Sequence, residues 1–323
     1  MPVGSGTITL ARKRLWGVPQ PGMVLPPSDR NTALDVHAIA NPVSGRKQLG
    51  PVLRAVGRLL ARHGANLTCH VTQGPGQATR IATQVPDDAR AVIAVGGDGT
   101  VREVVGGLID RPVPFVVLPT GTENIVAKHF GMSAEPGALA HRVLHGVPMP
   151  LDVGVVDGRH FLIVAGIGFD ADVVARLAAM REGHIGYLDY FWPLLRTFAG
   201  HQFPDIAVTV DGEPVFAGRG LALVGNLPRY SIGLRILDRA SWDDGLLDVC
   251  VYRCRSRVRL LRHSVRTALR RHVEAGDVTY VQGRSVSVSS AGTVNYQLDG
   301  DLGGVLPVHF RVLPRAVRCL MAV

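Results

Sequence analysis

The residues best suited to chemistry are acids set among glycines. Asp98 stands inside Gly96-Gly97-Asp98-Gly99-Thr100, directly after the apolar run Val92-Ile93-Ala94-Val95, and a helical pattern carrying Glu103 follows at once. Glycine lets backbone approach a ligand closely and tolerates positive φ. A helix that opens just after such a turn points unpaired N–H groups at the loop, which makes a place for phosphate. A carboxylate beside phosphates repels them, so Asp98 makes chemical sense if it holds Mg2+ or takes a proton from an attacking hydroxyl. The same five residues also suit a tight strand–helix turn in which Asp98 is a cap.

Two further turns carry similar chemistry. Asn41-Pro42-Val43-Ser44-Gly45-Arg46 follows a first apolar strand, and Ser44 and Gly45 can offer donors. Pro119-Thr120-Gly121-Thr122-Glu123-Asn124 follows another strand, and Gly74-Pro75-Gly76 stands between a strand ending near Thr72 and a helix. The elements that must position these turns alternate. Strands are expected at 35–40, 67–72, 91–95 and 113–118, and helices from Pro51, at 77–84, at 100–109 and at 125–130. Val52, Leu53, Val56, Leu59 and Leu60 give the first helix its apolar stripe, and Gly64 ends it. Four strands alternating with four helices imply an α/β layer with a parallel sheet. Ligands of such sheets sit beyond the carboxyl ends of the strands, where the Gly, Ser, Thr and Asn turns gather.

Composition narrows the partners. The chain has 323 residues, 46% of them hydrophobic, which supports two domains with packed cores. Cys69, Cys250, Cys254 and Cys319 are too scattered for a disulfide framework, and Cys250 with Cys254 lacks the second pair of a zinc site. No apolar run approaches the roughly 18–20 residues of a membrane span, and residues 1–30 lack the apolar segment of a signal peptide. The formal charge is +9, nearly all of the basic residues being arginine, which suits an anionic partner. Aromatics make up only 6% and do not interleave with basic residues, so nucleic-acid binding by stacking is not expected. Residues 1–34 are rich in Pro, Gly and Ser and are expected to form a mobile arm.

The pattern changes near residue 150. Short runs at 151–156, 160–166, 206–211, 214–217, 220–225, 246–252, 278–282, 285–289, 293–298 and 306–313 imply a mainly antiparallel β domain over 151–323, after an α/β domain over 35–150. Two insertions interrupt it. Residues 170–200 begin helical and turn aromatic around Tyr187, Tyr190, Phe191 and Trp192. Residues 254–273 read as an arginine-rich helix. At roughly 100° per residue, Arg255, Arg259, Arg262, Arg266 and Arg270 form one stripe and Val258, Leu261, Val265 and Leu269 a neighbouring one. A basic stripe beside an apolar one can lie on an anionic bilayer. An ordinary surface helix, with its apolar face packed on the β domain and its arginines in water, has the same pattern.

Taken in order, these motifs resemble the diacylglycerol kinase catalytic domain family, which includes bacterial lipid kinases and the sphingosine and ceramide kinases. The likeness continues through Leu151-Asp152-Val153-Gly154, Gly166-Ile167-Gly168-Phe169-Asp170-Ala171, Asp243-Asp244-Gly245-Leu246-Leu247-Asp248-Val249 and Leu298-Asp299-Gly300-Asp301, and covers about residues 36–320. It implies an α/β nucleotide-binding domain, a β-sandwich lipid domain whose last residues pack back on the first, and an active site in the cleft between them. It implies ATP, Mg2+ and phosphoryl transfer to a lipid hydroxyl.

Carried over by position, Asn41, Ser44, Gly45, Gly96, Gly97, Gly99, Thr100, Gly121, Thr122 and Asn124 are expected at the nucleotide, with Thr72 as a further contact. Glu103 is expected to help order the site, and as an acid near a helix start it also suits a plain dipole role. The resemblance implies one carboxylate at the substrate hydroxyl and one at the metal, with Asp299 favoured as base and Asp98 linked to metal or water. Asp244 and the Leu246 carbonyl match a structural Mg2+ site, Asp152 joins its network, and Asp301 is a further metal position.

Three departures stand out: the late motif ends in Asp301 rather than Glu, the family's glycine triplet reads Ser231-Ile232-Gly233, and the proline before the metal turn is absent near Asp238. The expected partners are a lipid alcohol and an anionic membrane surface met through 254–273, with no nucleic acid and a homodimer admitted. The expected location is cytoplasmic, peripheral to the membrane. The alternatives are an NAD kinase-like enzyme, against which Pro119–Asn124 and Asp299–Asp301 argue, and a catalytically silent lipid- or nucleotide-binding protein, against which the three acids Asp98, Glu103 and Asp299 argue.

Overall fold

The computed structural model describes residues 34–44, 49–179 and 191–322. The proposed arm up to residue 33, Gly45, Tyr187 and Tyr190 lie outside the described residues. The first lobe runs β1 (Leu34–Ala40), α1 (Leu49–Ala61), β2 (Ala65–Val71), α2 (Gln77–Gln84), β3 (Ala91–Gly96), α3 (Asp98–Gly107), β4 (Phe115–Pro119), α4 (Ile125–His129) and α5 (Pro136–His145). Its four strands are parallel in the order β2-β1-β3-β4. β3 is buried throughout, as a parallel strand covered by helices on both faces must be. The order of strands reverses between β1 and β3, so the turns after these two strands flank a topological switch point, where such sheets bind ligands.

The second lobe is antiparallel. It contains β5 (Val147–Val156), β6 (Arg159–Phe161), β7 (Val164–Ile167), α6 (Phe169–Ala179), α7 (Phe191–Gly200), β8 (Asp205–Val210) and β9 (Glu213–Gly225). The short β10 (Arg229–Tyr230) and β11 (Leu234–Arg235) follow, then β12 (Leu247–Arg253), α8 (Arg257–Ala268), β13 (Val278–Gly283), β14 (Ser285–Ser289), β15 (Asn295–Leu298), β16 (Asp301–Val305) and β17 (Val308–Met321). The two runs expected at 214–217 and 220–225 are one long strand, β9. Its first half pairs with β8 and its second with β7 and β12, so it passes from one layer to the other. Val208, Val286 and Phe310 from one layer meet Ala165, Val249 and Tyr296 from the other in a shared core. The Phe310 ring takes Phe161 and Tyr296 edge-on, at centroid distances of 5.9 and 6.0 Å.

β17 joins the lobes. Its first half pairs with β14, and its end pairs with β5 and, through Cys319 opposite Phe115, with β4. A bulge lies between Leu313 and Val317, where Arg315 has φ 53°. The side chain of Asp152, fully buried, fills it: Arg315 N–H donates to Oδ1 at 2.7 Å and Gly245 N–H to Oδ2 at 2.6 Å.

Candidate active site

Four turns meet at the carboxyl ends of β1, β2, β3 and β4. Ser44 Oγ accepts the Gly97 N–H at 2.9 Å, and Thr120 Oγ1 lies 3.4 Å from the same oxygen. Asn41 Nδ2 donates to Thr100 Oγ1 at 3.3 Å, and its Oδ1 accepts the Val43 N–H at 3.1 Å. Gly121 and Asn124 close the last turn on each other: Gly121 N–H donates to Asn124 Oδ1 at 2.9 Å, and Asn124 Nδ2 returns to the Gly121 carbonyl at 2.7 Å. Thr122 lies on this turn. The turns after β3 and β4 touch through bare backbone, because a Cβ on Gly121 would stand 2.6 Å from Gly97 Cα. Gly96 is equally crowded, a Cβ there falling 2.4 Å from the Thr100 side chain. α3 then opens with Asp98, Gly99 and Thr100 in its first turn, where N–H groups lack intrahelical partners. The arrangement is a cradle of backbone donors and hydroxyls suited to phosphate. Thr72 is buried at its rim, with its N–H donating to the Ala40 carbonyl at 2.9 Å.

The acids divide by what their oxygens hold. Asp98 accepts the Ile125 and Val126 N–H groups at 3.0 and 3.1 Å, so its carboxylate caps α4. Burial pushes this carboxyl up, against the pull of those two N–H groups. Glu103 accepts the N–H groups of Gly76 and Ala78 at 3.0 and 3.2 Å and thereby caps α2 from the neighbouring helix. Asp299, at φ 50°, accepts three N–H groups from the turn joining β6 and β7, those of Leu162 at 2.8 Å and of Ile163 and Val164 at 2.9 Å. Burial pushes the Asp299 carboxyl up to about 6, with Arg102 and these three N–H groups pulling the other way. Asp301 faces the cradle itself, its Oδ2 standing 3.6 Å from where a Gly99 Cβ would be.

Arg102 ties the lobes together across this point. From α3 it donates to the Leu298 carbonyl at 2.8 Å and to Asp301 Oδ2 at 2.6 Å. Behind the acidic turn, Gln297 is fully buried; its Oε1 accepts the Gly300 N–H at 2.7 Å and its Nε2 donates to Asp170 Oδ2 at 2.8 Å. Burial pushes the Asp170 carboxyl up to about 6, opposed by its bonds from Gln297 and Tyr230. Arg102, Gln297 and Asp170 were not among the residues the sequence singles out for the site. The only signals for them are position: Arg102 sits one turn into the helix after the glycine loop, and Asp170 and Gln297 belong to or adjoin motifs already noted.

The metal positions do not form one group. Asp301 is at the cleft, whereas Asp152, Asp244 and Leu246 lie together near the β17 bulge. Both Asp152 oxygens are engaged by backbone N–H groups. Asp244 Oδ1 accepts the Leu246 N–H at 3.0 Å, and burial, with Asp152 and Asp243 nearby, raises the Asp244 carboxyl. Among the described residues no group of three or more His, Cys, Asp or Glu side chains stands ready to hold a metal ion.

Comparison with known proteins agrees with this geometry. Residues 35–156 match the diacylglycerol kinase catalytic domain, and residues 163–321 match the YegS C-terminal NAD kinase beta sandwich-like domain. The chain is 31% identical over 296 residues to a diacylglycerol kinase of Mycobacterium tuberculosis (strain ATCC 25618 / H37Rv), covering 88% of this chain and 94% of that one. It is 27% identical over 288 residues to a diacylglycerol kinase of Bacillus subtilis (strain 168), covering 88% and 95%. In fold it is similar to the crystal structure of a diacylglycerol kinase from Bacillus anthracis str. Sterne, with TM-score 0.72, 24% identity, and 91% and 99% of the two chains covered.

Proposed function

The chain belongs to the diacylglycerol kinase family and is a lipid kinase, and from that premise we propose that it transfers the γ-phosphoryl group of ATP to the hydroxyl of a lipid such as diacylglycerol, in the cleft between its lobes. The observation that carries this reading is the Arg102 bridge, which sets the Asp299–Asp301 turn of one lobe against the glycine cradle of the other. Phosphoryl transfer asks little covalent chemistry of a protein and much positioning. The cradle supplies donors for the nucleotide phosphates from the first turn of α3, Asp98 to Thr100, with Ser44, which accepts the Gly97 N–H, and Asn41 bracing the loop from the turn after β1.

Asp299 is the proton acceptor in this proposal. A carboxyl raised to about 6 is a stronger base than an ordinary aspartate and is still ionised at neutral pH. Its oxygens offer about four lone-pair sites, so the three N–H groups they accept leave one for a substrate hydroxyl. Asp301 is the carboxylate that would hold Mg2+ at the cleft. Mg2+ is ordinarily held by one or two carboxylates together with phosphates and water rather than by a protein cage, so a single cleft carboxylate fits it. When bound it would neutralise charge on the phosphates. Asp244, whose carboxyl already feels Asp152 and Asp243, is where a second Mg2+ would relieve repulsion away from the cleft.

The test is transfer of label from γ-labelled ATP, with Mg2+, to lipid alcohols in mixed detergent micelles. Labelled lipid made by the wild type, and strongly reduced in Asp301→Asn, is the expected result. ATP binding without labelled lipid across diacylglycerol, sphingoid and isoprenoid alcohols would overturn the reading, and labelled NADP made from NAD would replace it with the NAD kinase alternative.

A further inference from the structure

The helix α8 sits on the protein the opposite way from what its composition suggests. Its buried residues are Leu260, His263 and Thr267. His263 Nε2 lies 3.2 Å from the Arg253 carbonyl, and Thr267 Oγ1 lies 2.9 Å from the Tyr252 hydroxyl, so the inner face is anchored by polar contacts. At roughly 100° per residue, the stripe of Val258, Leu261, Val265 and Leu269 lies opposite that face. These four side chains are 78, 58, 52 and 62% exposed. The surface-helix alternative, in which the apolar stripe packs on the β domain, is therefore excluded by the packing of this helix.

Arginines line the flank of the outward stripe. Arg255, Arg259 and Arg262 are exposed, while Arg266 pairs with Asp277 at 2.7 Å and Arg270 with Asp238 at 3.5 Å. On the other flank, Arg257 donates to the Ala199 carbonyl at the end of α7. α7 itself carries a second exposed apolar pair, Leu194 and Leu195, 44 and 42% exposed. An exposed apolar stripe rimmed by cations marks an interaction site.

Charge selects the occupant. A second copy docking through the same face would set arginines against arginines, and a nucleic acid would answer the arginines but leave the apolar stripe in water. An anionic bilayer satisfies both, taking the apolar residues at the boundary of its acyl chains and the arginines at its headgroups. None of the described helices is long and apolar enough to cross a membrane, which leaves α8 the geometry of lying on one.

We propose that the outward face of α8, with Leu194 and Leu195 of α7, is the surface by which this protein lies on an anionic lipid bilayer. The inference rests on the lipid-kinase reading for the reason the protein visits a bilayer, so its test measures binding rather than turnover. The purified protein is sedimented with vesicles of phosphatidylcholine alone and with vesicles that also contain phosphatidylglycerol, alongside Leu261→Glu/Val265→Glu and Arg259→Glu/Arg262→Glu. The wild type is expected to pellet with the anionic vesicles and far less with the neutral ones. Arg259→Glu/Arg262→Glu should lose roughly a hundredfold or more in affinity, since one basic residue near an anionic surface contributes about fivefold, reversal squares that factor and two residues are reversed. Leu261→Glu/Val265→Glu should lose at least roughly tenfold, since it removes two apolar side chains from burial and adds two anionic charges. All four side chains face water, so the melting temperature stays at the wild-type level. Equal sedimentation of wild type and both variants overturns the proposal. So does a change in oligomeric state in Leu261→Glu/Val265→Glu with vesicle binding intact, which would make the face a contact between copies. Charge-dependent vesicle binding without lipid phosphorylation in micelles would instead sink the kinase reading and leave the docking face standing.

Discussion

Replacing Gly121 by alanine probes the cradle at its tightest point. The new Cβ would lie 2.6 Å from Gly97 Cα, 3.1 Å from Asn124 Oδ1 and 3.3 Å from Gly97 N. Carbon atoms in contact sit about 3.5–4.0 Å apart, so the turns after β3 and β4 must separate by nearly 1 Å. Neither neighbour is a flexible side-chain end: one is backbone, and the other is locked by two hydrogen bonds to Gly121 itself. Overpacking of this kind costs ~1–3 kcal/mol. The expected result is a melting temperature lower by several degrees, together with a weaker cradle. Moving the Asp98–Thr100 donors by nearly 1 Å should raise the ATP dissociation constant roughly tenfold, the equivalent of about 1.4 kcal/mol. Calorimetric titration with ATP and a thermal melt read the two effects separately. Gly74→Ala is the control, because a Cβ there meets nothing within 4 Å and the residue does not have positive φ. Wild-type affinity and melting temperature in Gly121→Ala would refute the claim that the two turns form one cradle.

Three other perturbations have defined outcomes. Glu103→Ala leaves the Gly76 and Ala78 N–H groups at the start of α2 without their acceptor; loss of a cap costs ~0.5–2 kcal/mol, so the melting temperature falls, Glu103→Gln falls in between, and an unchanged melt would remove Glu103 as a cap. Asp170→Asn tests a buried acid raised from an ordinary 3.8 to about 6. The folded state binds this proton more tightly than the unfolded one, so its contribution is most favourable below pH ~4 and is lost as pH rises through ~6, a difference of ~3 kcal/mol; the asparagine variant should flatten that part of the stability–pH curve, and a parallel curve would contradict the assignment. If Asp299 accepts the substrate proton, kcat/KM declines about tenfold per pH unit below about 6, and the residual rate of Asp299→Asn is insensitive to pH across the same range.

The first lobe was legible because its punctuation is local. Each strand ends in Gly, Pro, Ser or Asn, and the helix stripes follow a single period, so β1 to β4 and α1 to α4 lie within a few residues of their expected limits. Elements without such marks were missed. α5, opened by a Glu135–Pro136 cap, buries only the short stripe Leu139, Ala140 and Val143, and β16 is interrupted by Gly303 and Gly304. The site was legible as a set of turns but not as a set of contacts. That Asp98 caps α4, 27 positions along the chain, and that Asp299 caps a turn some 136 positions earlier follows only from the folded chain. α8 shows the same limit, since amphipathicity gives the stripe while Tyr252 and the Arg253 carbonyl decide which face turns inward.

The acids also explain why turnover alone is a poor guide to mechanism here. Asp98, Glu103, Asp152 and Asp299 each accept two or more backbone N–H groups from segments distant in sequence. An amide in place of such a carboxylate turns one acceptor into a donor facing another donor, leaving a buried N–H unpaired at ~1–3 kcal/mol. An Asp98→Asn or Asp299→Asn enzyme would therefore lose activity whether the acid is a base or an anchor. The distinction lies in what else changes. An anchor, when lost, lowers the melting temperature and weakens ATP binding at every pH. A base, when lost, removes the acidic limb of the rate profile. Asp301 differs from both in that a side chain, Arg102, bonds its Oδ2 across the lobes. Asp301→Asn keeps an oxygen that can accept from Arg102, so its melt should fall by less than that of Asp98→Asn while transfer collapses, and an equal loss of stability would reassign it to the anchors.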